Sequence, residues 1–264
     1  ATNGKIIKRI VKGNRSPDFE ELNILTPGLT WSPDGKKIAL AAKRGGYDVI
    51  YIIDVEKGKR ENLPIELDGI GTIHWSNDGK YLAFAGHNPA QSDIYIYNLQ
   101  TKEFKNLTND IFSDKDPSWS PDGTKIIFAS DRDDFVNTKN LTPNFYIANH
   151  NYSQNDLYYY DLKEDKIVRV NNNPYSDESI PIFSPDGKEI LFISDMNGIN
   201  NIYRKKIQLD EKDSVQSIEE TKSIPITNSL NGLYQISTSA DGKKLTFSSM
   251  YQSAYNIFIM NNPF

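Results

Sequence analysis

Three observations predict an all-β chain built from repeated four-stranded antiparallel units. A Ser-x-Asp-Gly turn occurs five times, an apolar run of period two follows each copy, and an apolar-aromatic run opened by Asp or Asn comes after that. The tryptophans make the period visible: Trp31, Trp75 and Trp119 each precede a turn and recur at intervals of 44 residues.

The turns are Ser32-Pro33-Asp34-Gly35, Ser76-Asn77-Asp78-Gly79, Ser120-Pro121-Asp122-Gly123, Ser184-Pro185-Asp186-Gly187 and Ser239-Ala240-Asp241-Gly242, with Phe183 and Thr238 in the tryptophan position of the last two. Serine first, proline second and glycine fourth suit a type I turn, and glycine accepts the left-handed geometry that closes a hairpin with a bulge. Ile38 and Leu40, Leu82 and Phe84, Ile126 and Phe128, Ile190 and Phe192, then Leu245 and Phe247 alternate on one face and predict the second strand of each unit. Asp48-Val49-Ile50-Tyr51, Asp93-Ile94-Tyr95, Asp156-Leu157-Tyr158, Asn201-Ile202-Tyr203 and Asn256-Ile257-Phe258 open the third. Short segments ending at Leu63, Leu107, Val170 and Ile226 supply the fourth. Four strands in roughly 40 residues is the period of a β-propeller blade. The expected architecture is therefore a five-bladed propeller, six blades being the alternative, with hairpins starting near residues 29, 72, 116, 180 and 235.

The last copy offers strands one to three only, ending near Met260, while Leu22 to Leu25 read as a strand ahead of the first turn. Pairing these N-terminal and C-terminal strands would close the ring and remove exposed sheet edges. Lys5 to Val11 reads as one additional strand without an assigned partner. The turn aspartates are 44, 44, 64 and 55 residues apart, and the extra length falls between strands two and three of copy three (131–155) and between strands three and four of copy four (208–222). In a blade whose strands run outward from a central channel, the first insertion emerges on the face of the blade-to-blade connectors. The second emerges on the opposite face.

Length and composition suit one domain over residues 1–264: all-β rings of this size form single domains, and 12 Phe, 15 Tyr and 3 Trp supply large surfaces to bury between blades. A net charge of −5 disfavours nucleic-acid and anionic-membrane binding, which need a basic footprint. No apolar run approaches the roughly 18 residues of a membrane span, and the N-terminus does not resemble a signal peptide. With no cysteine, disulfides and thiolate metal sites are excluded. The expected protein is a monomer without cofactor or metal.

Trp or Phe, then Ser-Pro-Asp-Gly-Lys, Ile-x-Phe and Asp/Asn-Ile-Tyr together resemble the propeller repeat of the TolB family, which also occurs in the propellers of tricorn-like and prolyl-oligopeptidase-type peptidases. The resemblance covers Leu29 to Met260. It implies a scaffold that binds protein or peptide, an envelope protein among the candidates, in the periplasm or outside the cell. TolB itself is six-bladed, follows an α/β domain, and acts with the lipoprotein Pal; this sequence shows five hairpins and no α/β segment ahead of them. The peptidases carry a Gly-x-Ser-x-Gly nucleophile turn, absent here. A propeller gate cut from a larger peptidase is one alternative reading.

The search for chemistry turns on carboxylates, because His74, His87 and His150 show no metal-ligand spacing. The turn aspartates and the Asp or Asn opening strand three read as structural caps and blade-locking acceptors. Asp68, Asp110, Asp114, Asp116, Asp177 and Glu178 lie in or beside the connectors that enter first strands, where they should ring the channel mouth. Carboxylates there are similar to the arrangement of some furanosidases and arabinanases, which makes a glycan hydrolase the other alternative. The stronger lead is the first insertion, Asp131-Arg132-Asp133-Asp134-Phe135, then Asn144-Phe145-Tyr146 and His150-Asn151-Tyr152, acidic and aromatic over a rigid ring. The candidate ligand-binding set is Asp114, Asp116, Asp131, Asp133, Asp134, Phe135, Phe145, Tyr146, Tyr152, Asp177 and Glu178, with no catalytic residue assigned. An insertion that only covers its own blade is the competing reading.

Overall fold

The computed structural model describes residues 8–10, 21–22 (backbone), 28–137, 141, 145–207 and 222–264. Asn144, most of the 208–222 insertion, and parts of the expected strands at Lys5–Val11 and Leu22–Leu25 lie outside them. The chain forms five antiparallel blades in a ring, a β-propeller. Blade 1 holds β1 (Glu21–Leu22), β2 (Leu29–Trp31), β3 (Lys37–Arg44), β4 (Tyr47–Asp54) and β5 (Arg60–Asn62); blade 2 holds β6 (Gly69–Trp75), β7 (Tyr81–His87), β8 (Ser92–Asn98) and β9 (Phe104–Asn106). Blade 3 holds β10 (Asp114–Trp119), β11 (Lys125–Ser130), β12 (Asp156–Asp161) and β13 (Lys166–Arg169). Blade 4 holds β14 (Glu178–Phe183), β15 (Glu189–Ser194), β16 (Asn201–Lys206) and β17 (Ile224–Pro225), and blade 5 holds β18 (Leu233–Thr238), β19 (Lys244–Tyr251) and β20 (Ala254–Asn261).

The turn motif folds the same way in all five copies. The serine hydroxyl donates to the aspartate Oδ1 at 2.6–2.7 Å, and that oxygen accepts the backbone N–H two residues on at 3.0–3.1 Å. The glycine sits at φ of 66° to 74°, where a Cβ is disfavoured. Serine and backbone hydrogen bonds hold Asp34, Asp186 and Asp241 below the usual carboxylate range. These aspartates are structural. The acceptor that opens strand three ties its blade to the next connector in four copies: Asp48 accepts from the Ile70 N–H (2.8 Å), Asp93 from the Asp110 N–H (3.3 Å), Asp156 from the Asn173 N–H (3.4 Å), and Asn201 from Thr227 and the Ser229 N–H (2.9 and 2.8 Å). Asn256 instead donates to the carbonyls of Tyr251 and Ala254.

Apolar residues face both sides of the sheet in blades 2 to 4 because each of these is packed between two neighbours. Ile94 of blade 2 packs with Trp119, Ile126 and Phe128 of blade 3, Leu157 with Ile190 and Phe192 of blade 4, and Ile202 with Leu233 and Leu245 of blade 5. The inner strands carry a bulge in blades 2 to 5, and in three of them its residue has positive φ: Asp116 (56°), Ile180 (51°) and Gln235 (55°). Asp116 ties three inner strands together, accepting from the Thr72 hydroxyl at 2.6 Å and the Ile180 N–H at 3.3 Å. His74, pushed down to about 4 by burial, is neutral and accepts the Trp119 N–H at 3.1 Å.

The first residue of the segment expected to close the ring, Leu22, pairs within blade 1, and residues 23–25 lie outside the described ones. Glu21 and Leu22 lie opposite Lys43 and Ala42 of β3, so this segment lengthens the inner edge of blade 1 that β2 also occupies. It does not reach β20, which has no fourth strand beside it among the described residues. Lys8–Ile10 is not a strand; Lys8 donates to the Val55 and Glu56 carbonyls and Ile10 packs on the outer face of blade 1.

Candidate functional site

Antiparallel register puts the 131–155 insertion on the connector face: Asp114, which begins β10, pairs with Ser130 at the end of β11, and Ser130 pairs with Asp156 at the start of β12. The insertion is rooted in Arg132, which is fully buried. Its guanidinium donates to Asp110 at 2.8 Å, to both oxygens of Asp114 at 2.6 and 2.8 Å, and to the Ser130 hydroxyl at 3.0 Å. Phe112, Phe128 and Tyr158 surround it with ring centroids 5.5–5.7 Å away. Burial opposes the cation, yet Asp114 and Asp110 outweigh it and raise the Arg132 pKa. Burial likewise pushes Asp110 up to about 6 against the pull of Arg132.

Carboxylate oxygens of Asp93, Asp110 and Asp114 lie within 4.8 Å of one another, a spacing that could hold a metal ion. Arg132 already supplies positive charge to two of the three. Beside it, Arg169 binds Asp156 (2.5 Å), Asp134 (2.5 Å) and Asp133 (3.2 Å). The acidic run Asp131 to Asp134 is thus largely committed to internal partners, Asp131 accepting the Ser113 N–H at 2.9 Å.

The aromatics divide. Phe135 stacks on the buried Phe112 at a centroid distance of 5.6 Å, Phe145 meets Phe112 and Phe135 edge to face at 5.9 and 4.8 Å, and His150 closes the cluster while bonding the Asp131 carbonyl. They cover blade 3, as the competing reading expects. Tyr146 and Tyr152 remain exposed, Tyr146 at 72%. Tyr175 in the next connector (93%) and Leu230 in the one after it (89%) are exposed on the same face.

Of the remaining sequence candidates, Asp114 and Glu178 are fully buried and Asp131 nearly so. Asp116 serves the inner strands, and Asp177 accepts from the Asn155 backbone and side chain at 2.9 and 2.7 Å. Glu178 accepts from Asn171 and, at 3.4 Å, from Ser176, while its Oε2 has no partner. Burial first, and Asp156 second, push it up to about 8. Sequence reasoning passed over Arg132, Phe112 and Tyr175. The one available signal was an arginine inside an Asp-x-Asp-Asp run followed by aromatics.

Residues 17–136 match the family model described as the TolB beta propeller domain. Over these residues the repeat is similar to that of the TolB beta propeller domain. TolB from Acinetobacter baumannii superposes with a TM-score of 0.68 at 22% identity, covering 90% of this chain and 52% of its own. A putative TolB from Agrobacterium tumefaciens gives 0.63 at 20% identity, covering 90% and 78%. The tricorn protease gives 0.56 at 14% identity, covering 92% and 28%. This chain therefore spans about half the length of the Acinetobacter TolB, and at these identities the likeness speaks for the fold alone. None of the curated proteins matches the chain. No helix among the described residues is long and apolar enough to cross a membrane.

Proposed function

We propose that this TolB-type propeller is a non-enzymatic scaffold that binds a protein or peptide on its connector face, outside the cytoplasm as its TolB-like relatives imply. The observation that carries the reading is the exposure of Tyr146, Tyr152, Tyr175 and Leu230 on the connector side of blades 3 to 5, the first two on an insertion rooted in Arg132 and Leu230 beside a connector held by Asn201. Exposed aromatics on a pre-organised base gain contact area at little cost in ordering. On this reading the binding set is Tyr146 and Tyr152 with Tyr175 and Leu230, while Asp133 and Asp134, though exposed, are paired with Arg169. Phe135 and Phe145 support the loop from below.

The glycan-hydrolase alternative asks Asp114 to act on substrate, but its carboxylate is held by Arg132 out of solvent. The test is a peptide-array screen of the wild-type chain, followed by fluorescence anisotropy with a captured peptide. Joint replacement of Tyr146, Tyr152 and Tyr175 by alanine should abolish binding with the far-ultraviolet spectrum unchanged. Undiminished affinity in that variant would reject this surface.

A further inference from the structure

The two faces of the ring differ in charge. On the side of the Ser-x-Asp-Gly turns, Lys36, Lys80, Lys163, Lys188 and Lys243 stand exposed among the carboxylates. On the connector side of blades 3 to 5, over residues 108–116, 131–137, 145–156, 171–180, 194–201 and 227–235, Lys115 is the one lysine or arginine that reaches solvent among the described residues, because Arg132 is fully buried. The carboxylates there are not all paired. Asp133 and Asp134 are held by Arg169, but Asp177 and Asp195, both partly exposed, bond only neutral groups among the described residues. Asp195 Oδ1 accepts the Asp177 N–H at 2.7 Å, and Asp177 Oδ1 accepts from the Asn155 backbone and side chain at 2.9 and 2.7 Å. These two aspartates therefore sit in adjoining loops of blade 4, one just after the exposed Tyr175 and the other next to the exposed Met196.

We propose that the segment bound on the connector face is cationic, a lysine- or arginine-rich stretch of another protein, with charged groups beside Asp177 and Asp195 and over the rings of Tyr146 and Tyr175. This rests on the reading of the connector face as a peptide-binding surface and adds the chemistry of what it takes. The net charge of −5 is shared unevenly between the faces, so a basic segment is drawn to this one and an acidic segment meets like charge. The rings favour the same occupant. Neither Tyr146 nor Tyr175 has a ring or a cation against it among the described residues, and an open aromatic face attracts an ammonium or guanidinium within about 6 Å of its centroid. Water screens carboxylates at such a rim, so their weight falls on association rate and choice of partner more than on the lifetime of the complex.

The test presents the wild-type chain to immobilised peptides of scrambled sequence graded from net acidic to net basic, then follows the captured peptides by surface plasmon resonance. Captured peptides should be basic, and exchanging their lysines and arginines for glutamine should weaken binding roughly tenfold or more. Association should slow as salt rises, with dissociation nearly unchanged. Asp177→Asn with Asp195→Asn keeps an oxygen acceptor at both positions, so the far-ultraviolet spectrum should persist while association slows about tenfold. Glu56→Gln with Glu103→Gln removes the same charge from the turn side and should leave the rates as they are. Capture of neutral or acidic peptides, rates indifferent to salt, or a folded Asp177→Asn and Asp195→Asn variant that binds as wild type overturns the cationic partner and leaves the peptide-binding reading in place. Capture of no peptide overturns both. Should that double variant fail to fold, the salt dependence and the glutamine peptides decide the matter on the wild-type chain.

Discussion

Asp114 of blade 3 and Glu178 of blade 4 occupy one register, each opening the inner strand opposite the serine that ends strand two. Both are fully buried, yet their chemistry differs. Two residues past that serine, blade 3 has Arg132, which clasps both oxygens of Asp114; blade 4 has Met196, and one oxygen of Glu178 has no partner. The nearest cation there stands one step away, with Lys205 donating to Asn171 at 2.9 Å and Asn171 donating to Glu178. The same slot therefore holds a paired carboxylate in one blade and a proton-retaining carboxyl, with a pKa near 8, in the next. One residue type at the root of the loop decides which. It also decides whether that loop is pinned: blade 3 can support a long insertion because its root is an ion pair, whereas the corresponding loop of blade 4 is a tight turn, with the Gly198 N–H bonded to the Asp195 carbonyl at 2.6 Å.

Removing the arginine should produce the largest effect. Arg132→Met gives blade 3 the residue of blade 4 but leaves Asp110 and Asp114 buried without their cation, and breaking a buried pair from one side costs about 3–5 kcal/mol. Urea denaturation should show that loss with an unchanged m-value. A loss below about 1 kcal/mol, the range of exposed ion pairs, would mean the cluster is solvated.

Glu178→Gln probes the other member. Its folded-state pKa of about 8 lies above the ordinary 4.5, so the folded state holds a proton that the unfolded state releases first. The stability it contributes is fully present below pH 4.5 and is lost as pH rises to about 8, with a slope of at most about 1.4 kcal/mol per pH unit. Glutamine cannot ionise, so the variant should lose this component and be more stable than wild type, relative to their difference at pH 4.5, at alkaline pH. Parallel stability profiles for the two proteins between those limits would contradict the assigned shift. Met196→Arg sharpens the comparison further by installing the missing cation. It should flatten the same profile while leaving stability at neutral pH within about 2 kcal/mol of wild type, since a well-formed buried pair roughly breaks even.

The hairpins were legible because their chemistry is local. Ser32 and Asp34, and their four repeats, bond within five residues, and glycine at the fourth position follows from backbone sterics alone. The strand-three acceptors were legible by position as well. Arg132 was not, because its partners Asp110 and Asp114 lie 22 and 18 residues away and only the fold brings them under the loop. For the same reason, carboxylates that read as a channel-mouth ring turned out to face in different directions: Asp116 toward Thr72, Asp114 toward Arg132, Asp177 toward Asn155. The edge that the N-terminal segment joins was not legible, because apolar character does not tell one sheet edge from another: Leu22 pairs with Ala42 on its own blade.

The smallest effect on stability belongs to the exposed rim, and that is what makes it informative. Tyr175 is 93% exposed in the connector that leads into β14, only three residues before the buried Glu178. Tyr175→Ala removes almost no buried area, so it should shift stability by no more than about 0.5 kcal/mol. If the connector face binds a partner, the same change should weaken that binding, by roughly tenfold for an aromatic anchor worth about 1.4 kcal/mol or more. Glu178→Gln should do the reverse, altering the pH dependence of stability and leaving affinity untouched. A Tyr175→Ala variant that loses stability instead would place this tyrosine with the supports of blade 4, and the division between a buried frame that sets the loops and an exposed rim that reads the partner would fail at that blade.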